Sequence, residues 1–163
     1  MKYLYEMLIR LTKNTNQPHI LKYIRDNGTE TWTYAADFFI QHDISHFALE
    51  TILAYKTAFN GMVNSGMNLS DFENREKRAF INMTDEAWYA ENMANLFLTE
   101  ISQGVFEDFN EVQQQTFQSF NLTYPVITLT DPIIQAIRSY LGLLLLQWKE
   151  LASGNTLELT FKL

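Results

Sequence analysis

The side chains best suited to chemistry fall within one short run, His42-Asp43-Ile44-Ser45-His46-Phe47-Ala48-Leu49-Glu50. Successive steps of four place His42, His46 and Glu50 along one side of a helix, with Asp43 beside them. At about 100° per residue the four span an arc of only about 100°. Two imidazoles one turn apart can share a divalent ion, and Glu50 offers a carboxylate ligand in the same direction. Zn, Ni, Mn or Fe would suit such nitrogen and oxygen donors. Asp43 is then the residue placed to orient a ligand or assist proton transfer, which makes it the catalytic candidate. The run differs from the His-Glu-x-x-His of zinc peptidases by one methylene. A shorter general base reaches less far towards the water it activates, and the downstream His of the metzincin pattern is missing, so a peptidase is not expected.

The rest of this helix favours a covered stripe. Ile44, Phe47, Ala48, Ile52, Tyr55, Phe59 and Val63 occupy most of its circumference. Continued towards the C-terminus, the polar stripe carries Thr57, Asn60, Gly61 and Asn64, with Lys56 at its margin. Short polar groups, rather than Lys, Glu and Arg, suit a cleft or a partner element lying over them. The alternative is a stripe without metal, in which His42 and His46 bond Glu50, Asp43 or backbone. Glu86, Glu91 and Glu100 on a later helix could each add a ligand, though solvated helix charge is the expectation for all three. His19 is expected at a strand edge or surface. The aromatic residues Phe106, Phe109, Phe117 and Phe120 are expected in a core. No phosphate loop, dinucleotide fingerprint or Gly-x-Ser-x-Gly turn occurs.

The run Phe38 to Glu50, preceded by Thr31-Trp32-Thr33 and followed by Ala58-Phe59-Asn60-Gly61, resembles a group of uncharacterised bacterial proteins with a His-Asp-(Leu/Ile)-x-His-(Phe/Tyr)-x-x-Glu helix. The resemblance covers residues 1–70 and implies that His42, Asp43, His46 and Glu50 belong to one shared site. It carries no established activity with it.

Several elements must position these groups. Tyr3, Tyr5, Met7, Ile9 and Leu11 alternate with polar residues and predict a first strand over 2–12. His19 to Arg25 reads as a second strand, Asp26-Asn27-Gly28 as a hairpin turn and Thr29 to Tyr34 as the returning strand. Leu157, Leu159, Phe161 and Leu163 predict a closing strand that pairs with the N-terminal meander. The site helix is expected to start between Asp37 and His42 and to run to about Gly66. Ser70 and Glu73 have capping-box spacing within the charged connector Asp71 to Arg78. Thr84 with Asp85 and Glu86 opens a helix that Gly104 ends. A further helix is expected over Phe106 to Asn121. The last and most apolar one starts at Asp131-Pro132 and stops at Ser153-Gly154-Asn155.

Composition narrows the function classes. A chain of 163 residues with 12 Phe, 8 Tyr and 3 Trp can build a core unaided, and one domain over 1–163 is expected. With no Cys there are no disulfides, thiolate zinc sites or cysteine nucleophiles. A formal charge of -7 with scattered basic residues argues against nucleic acid. Neither a secretory signal nor a bilayer-length apolar run is present, and Leu143 to Leu146 reads as part of a buried helix, so no membrane partner and a cytoplasmic location are expected.

The sequence therefore predicts an α+β fold, a small antiparallel sheet of an N-terminal three-strand meander plus the C-terminal strand, packed on a bundle of about four helices. The function expected is metal binding by His42, His46 and Glu50, extending to a metal-dependent hydrolase with Asp43 assisting. The alternative is a non-enzymatic module for a small molecule or a protein in which the same stripe is structural. A small-molecule ligand and self-association are both compatible with the sequence.

Overall fold

The computed structural model describes residues 6–73, 83–119 and 127–163. Strands β1 (Glu6–Thr12), β2 (His19–Ile24), β3 (Glu30–Ala35) and β4 (Thr156–Lys162) form one sheet in the order β3-β2-β1-β4, each neighbouring pair antiparallel. The expected meander and its C-terminal partner are both present. The turn between β2 and β3 closes through Gly28 at φ +85°, where a side chain would be strained. Asn27 Oδ1 accepts from both the N–H and the hydroxyl of Thr29. Period-two alternation puts Met7, Ile9, Leu11, Leu21, Tyr23, Leu159 and Phe161 on one buried face. Ile9 lies between Tyr23 and Leu159 in register. Tyr3, Tyr5 and Phe120 lie outside the described residues.

Helices cover that face. They are α1 (Asp37–Ile52), α2 (Phe59–Asn64), α3 (Leu69–Glu73), α4 (Asp85–Gln103), α5 (Phe109–Ser119) and α6 (Asp131–Glu150). Four of these six described helices are long, as expected. α1 is the hub, packing against α4, α6 and the sheet. Its start is tied to the end of α6, because Trp148 Nε1 donates to Asp37 Oδ1 at 2.8 Å. Lys13 in turn donates to the Trp148 and Lys149 carbonyls, supplying partners for the open C-terminal end of α6. α4 begins as predicted, with the Thr84 hydroxyl accepting from Ala87 N–H, and it ends at Gly104 with φ +100°.

Three local expectations need correction. The site helix does not run on to Gly66: it stops at Ile52, turns through Ala54 at φ +54° and restarts as α2. The interruption is held from outside. Glu86 Oε1 accepts from Lys56 N–H, Thr57 N–H and the Thr57 hydroxyl, at 2.8 to 2.9 Å. The chain then folds back so tightly that a Cβ on Gly61 would run into the Lys56 carbonyl. A capping pattern opens α3, but Asn68 N–H donates to Asp71 Oδ2, so Ser70 lies inside the helix. Finally, α6 is buried on one side only. Ile137, Leu141, Leu144 and Trp148 face the core while Leu143 and Leu146 are about half exposed.

The α5 region is nearer expectation. Asp108 Oδ1 accepts from Glu111 N–H at the start of α5, and Phe109 and Phe117 are buried with Phe106 packed against them. No described helix is long and apolar enough to cross a membrane.

Candidate metal centre

His42, Asp43, His46 and Glu50 do share one side of α1, and the structure adds a carboxylate from α4. α4 runs opposite to α1, with Glu86 at the loop after α1 and Glu91 beside the histidines. Glu91 reaches both imidazoles: Oε1 lies 3.3 Å from His42 Nε2 and Oε2 lies 2.8 Å from His46 Nε2. Ligand atoms of His42, His46 and Glu91 all lie within 4.8 Å of one another. Two donors on a tetrahedral ion, each about 2.0 to 2.1 Å from it, are about 3.3 Å apart. The His42 to Glu91 spacing equals that value and the His46 to Glu91 spacing is shorter by half an ångström, within reach of a small rotation of a side chain that is 42 % exposed. The group is geometrically able to hold a metal ion.

The other two residues lie behind this group. Glu50 Oε2 is 2.9 Å from His46 Nδ1, and its Oε1 accepts from Asn60 N–H at 2.9 Å. Glu50 therefore faces the ring nitrogen opposite the one that meets Glu91. Asp43 Oδ1 lies 3.5 Å from His42 Nδ1, while its Oδ2 accepts from the Tyr23 hydroxyl at 2.8 Å. Each imidazole thus has a carboxylate on the Nδ1 side and Glu91 on the Nε2 side. This is how proteins commonly orient histidine ligands, because the outer carboxylate fixes the tautomer and raises the basicity of the ring.

The break after α1 now has a consequence. Asn60 follows Glu50 by ten residues, and on a straight helix its backbone would lie about 15 Å further along the axis. Folding α2 back brings that N–H to the Glu50 carboxylate. Glu50 is fully buried and His46 is 2 % exposed, so both need the partners that they have. Phe59 and Phe38 flank the pair, the first 5.2 Å from the His46 ring and the second stacked 6.4 Å from His42.

Burial by itself would lower the basicity of His46, but hydrogen bonds to Glu50 and then Glu91 outweigh it and raise its pKa to about 10. Carboxylates on both sides leave both ring nitrogens carrying protons when no ion is bound. Burial likewise opposes protonation of His42, and its contacts with Asp43 and Glu91 turn the balance upward. Burial would raise Glu91, yet hydrogen bonds from His42 and His46 hold it well below the usual carboxylate range. Tyr23 is pushed well above its usual value, first by burial and then by the Asp43 charge, so it stays a donor.

All three glutamates on α4 depart from the solvated expectation. Glu86 holds the interrupted loop, Glu91 joins the histidines, and Glu100 is buried against Arg138. One available signal was the position of Glu91 four residues after Ala87 and three before Ala94, on the border of an apolar face. His19 is also more engaged than an edge residue: Nδ1 accepts from Asn14 N–H at 3.0 Å and its ring meets Trp148 edge-on at 5.0 Å. Residues 74–78 of the charged connector lie outside the described residues.

Access to the cluster is from the Glu91 side, where His42 is 21 % exposed. A cleft of about 760 Å³ lies elsewhere, lined by residues of the α5 start together with Asp131, Ile134 and Arg138. The class this defines is an α+β protein with a two-histidine, one-glutamate cluster able to hold a metal ion. No protein-family model, curated protein or solved structure matches the chain.

Proposed function

We propose that this chain is a divalent metal protein whose ligands are His42 Nε2, His46 Nε2 and the Glu91 carboxylate, and that it acts as a metal-dependent hydrolase. The observation that carries the reading is the arrangement around the two rings, with Nε2 of both turned to Glu91 and Nδ1 of both facing the carboxylates of Asp43 and Glu50. Three protein ligands leave room for a water or a substrate atom, which distinguishes catalytic from purely structural sites. An ion bound there would supply Lewis acidity for cleaving an ester, amide or phosphoester.

The chain's own residues divide the remaining work. Glu50 holds the His46 ring with Nε2 directed outward, and the Asn60 N–H fixes Glu50 in turn. Asp43, held by Tyr23, acts on His42 in the same manner. In this arrangement Asp43 is a positioning residue, not a base touching water. Glu91, the most exposed of the acids, faces the entrance and is the group nearest an incoming substrate.

A second reading has its own support. With no ion, Glu91 bonds both imidazoles directly and His46 is a charged link between Glu50 and Glu91. That network could serve only to lock α1 against α4. Elemental analysis of untagged protein separates the two readings. Near one equivalent of Zn, Ni, Mn or Fe in the wild type, and none in the His42→Ala/His46→Ala variant, is expected. Absence of metal from both, even after reconstitution, would leave the structural lock and end the hydrolase reading.

A further inference from the structure

Among the described residues the sheet has helices on one face only, and its other face is uneven. On the β1/β4 side the outward residues are polar apart from the half-buried Leu8: Arg10 Nε donates to Glu158 at 2.8 Å, and the Thr12 and Thr156 hydroxyls are 2.8 Å apart. Thr160 and Lys162 continue that face along β4. On the β2/β3 side the outward residues are Ile20, Lys22 and Ile24, then Trp32 and Tyr34. Trp32 is 50 % and Tyr34 60 % exposed, and their rings meet edge-on at 5.4 Å.

The two edges differ in the same sense. Edge strands are normally guarded by charge, Pro, a bulge or a covering element, since their unpaired N–H and C=O groups invite another strand. β4 carries Glu158 and Lys162 on its outer face. β3, Glu30-Thr31-Trp32-Thr33-Tyr34-Ala35, has no Lys, Arg, Pro or Gly, and its single charge, Glu30, sits 3.5 Å from Lys22. α3 touches β3 from the inner side, where Leu69 N–H donates to the Thr31 hydroxyl. Among the described residues, the only hydrogen bond to the β3 backbone from outside the ladder is from the hydroxyl of Thr33 to the Tyr34 carbonyl, at 3.2 Å.

We propose that β3 pairs antiparallel with β3 of a second copy, giving a two-fold dimer with one continuous eight-stranded sheet. A second copy fits because an antiparallel edge is self-complementary: a two-fold axis brings each donor of one strand to the matching acceptor of its twin. With the axis at Thr33, Trp32 stands opposite Tyr34 of the other copy, and Tyr34 opposite its Trp32. Both pairs lie on the outer face, where aromatic pairs across strands add to the ladder. The axis also keeps charge apart. The chain carries a net charge of -7, yet the middle of β3 is neutral, so two copies can approach there without opposing carboxylates. The dimer leaves the metal cluster on the helical layer of each copy, and it does not depend on that cluster.

Analytical ultracentrifugation of the wild type, paired with hydrogen exchange at several protein concentrations, tests this. A dimer is expected, with β3 amides protected more as concentration rises and β4 amides unchanged. Trp32→Glu/Tyr34→Glu alters two exposed side chains, and circular dichroism checks that the variant folds. Its dimer dissociation constant is expected to rise at least about thirtyfold, the effect of losing one hot-spot contact. A wild type that stays monomeric at high concentration would overturn the proposal and leave the edge to some other strand. So would a dimer that survives the substitutions, or one whose β3 amides exchange at the same rate at every concentration.

Discussion

Glu91 and Glu100 stand on the same helix and are both engaged by cations, yet they can do different things. Arg138 meets Glu100 with a two-pronged contact, Nε to Oε1 at 2.9 Å and a terminal nitrogen to Oε2 at 2.6 Å, and Phe106 N–H takes a further lone pair at 2.8 Å. Guanidinium does not give up its proton near neutral pH, and it has no lone pair to offer a metal. That pair is complete. Glu91 instead meets two imidazoles, a group that can serve as a metal ligand once it loses a proton. The lesson is that burial and pairing of a carboxylate do not mark a functional site by themselves. What distinguishes Glu91 is the chemistry of its partners and its partial exposure to solvent.

The contrast is broken most directly from the Glu91 side. Glu91→Ala removes a ligand and is expected to abolish stoichiometric metal binding, read by elemental analysis after reconstitution, while the protein still folds. Metal retained at one equivalent would show that the ligand set is not the one proposed. Arg138→Met should act in the opposite sense. It leaves the Glu100 carboxylate, 3 % exposed, without its cation, at a cost of about 3 kcal/mol in urea unfolding. Metal content should not change. If Arg138→Met lost metal while keeping its stability, the two carboxylates would not be the separate devices they are taken for.

Much of this fold could be read from the chain because its signals are local. Alternation in β1 and β4, the Asn27-Gly28 turn, the Thr84 cap and Gly104 each depend on a few neighbouring residues. The two histidines were legible for the same reason, since their spacing is a property of α1 alone. Glu91 was named only as one of three glutamates on α4. Its selection depends on which face of α4 meets α1, and Asn95, Leu96 and Phe97 do not announce that. The break at Ala54 was invisible because its cause is remote: the Glu86 carboxylate binding Lys56 and Thr57. Glu50 was read as a ligand because side-chain spacing alone cannot tell which imidazole nitrogen a carboxylate will face.

Glu50 gives the next smaller effect. If it orients His46 from behind, Glu50→Gln keeps a hydrogen-bonding group in place but loses the charge that makes the ring more basic. Metal affinity should fall by about 10 to 100-fold with the stoichiometry unchanged. Loss of the metal altogether would make Glu50 a ligand in its own right, as its spacing on α1 first implied.

The smallest effect separates the metal centre from the structural lock by its sign with pH. In metal-free protein the His46 pKa is raised from 6.5 to about 10 by its two carboxylates. A raised pKa gives stability that is fully present below the unfolded value, near 6.5, and is lost as pH rises towards 10. Glu91 is displaced the other way, so its contribution is present above the unfolded value of 4.5 and lost as pH falls. Stability of the metal-free chain should therefore peak between these limits and decline above pH 6.5, and His46→Gln should flatten that decline. Metal binding has the opposite slope, because the ion displaces the Nε2 proton and gains affinity as the pH rises. Melting temperatures of metal-free and metal-loaded protein, measured from pH 6 to 9, should diverge. Parallel curves would mean that the ion does not compete for the His46 proton, and the cluster would then be read as a lock between α1 and α4.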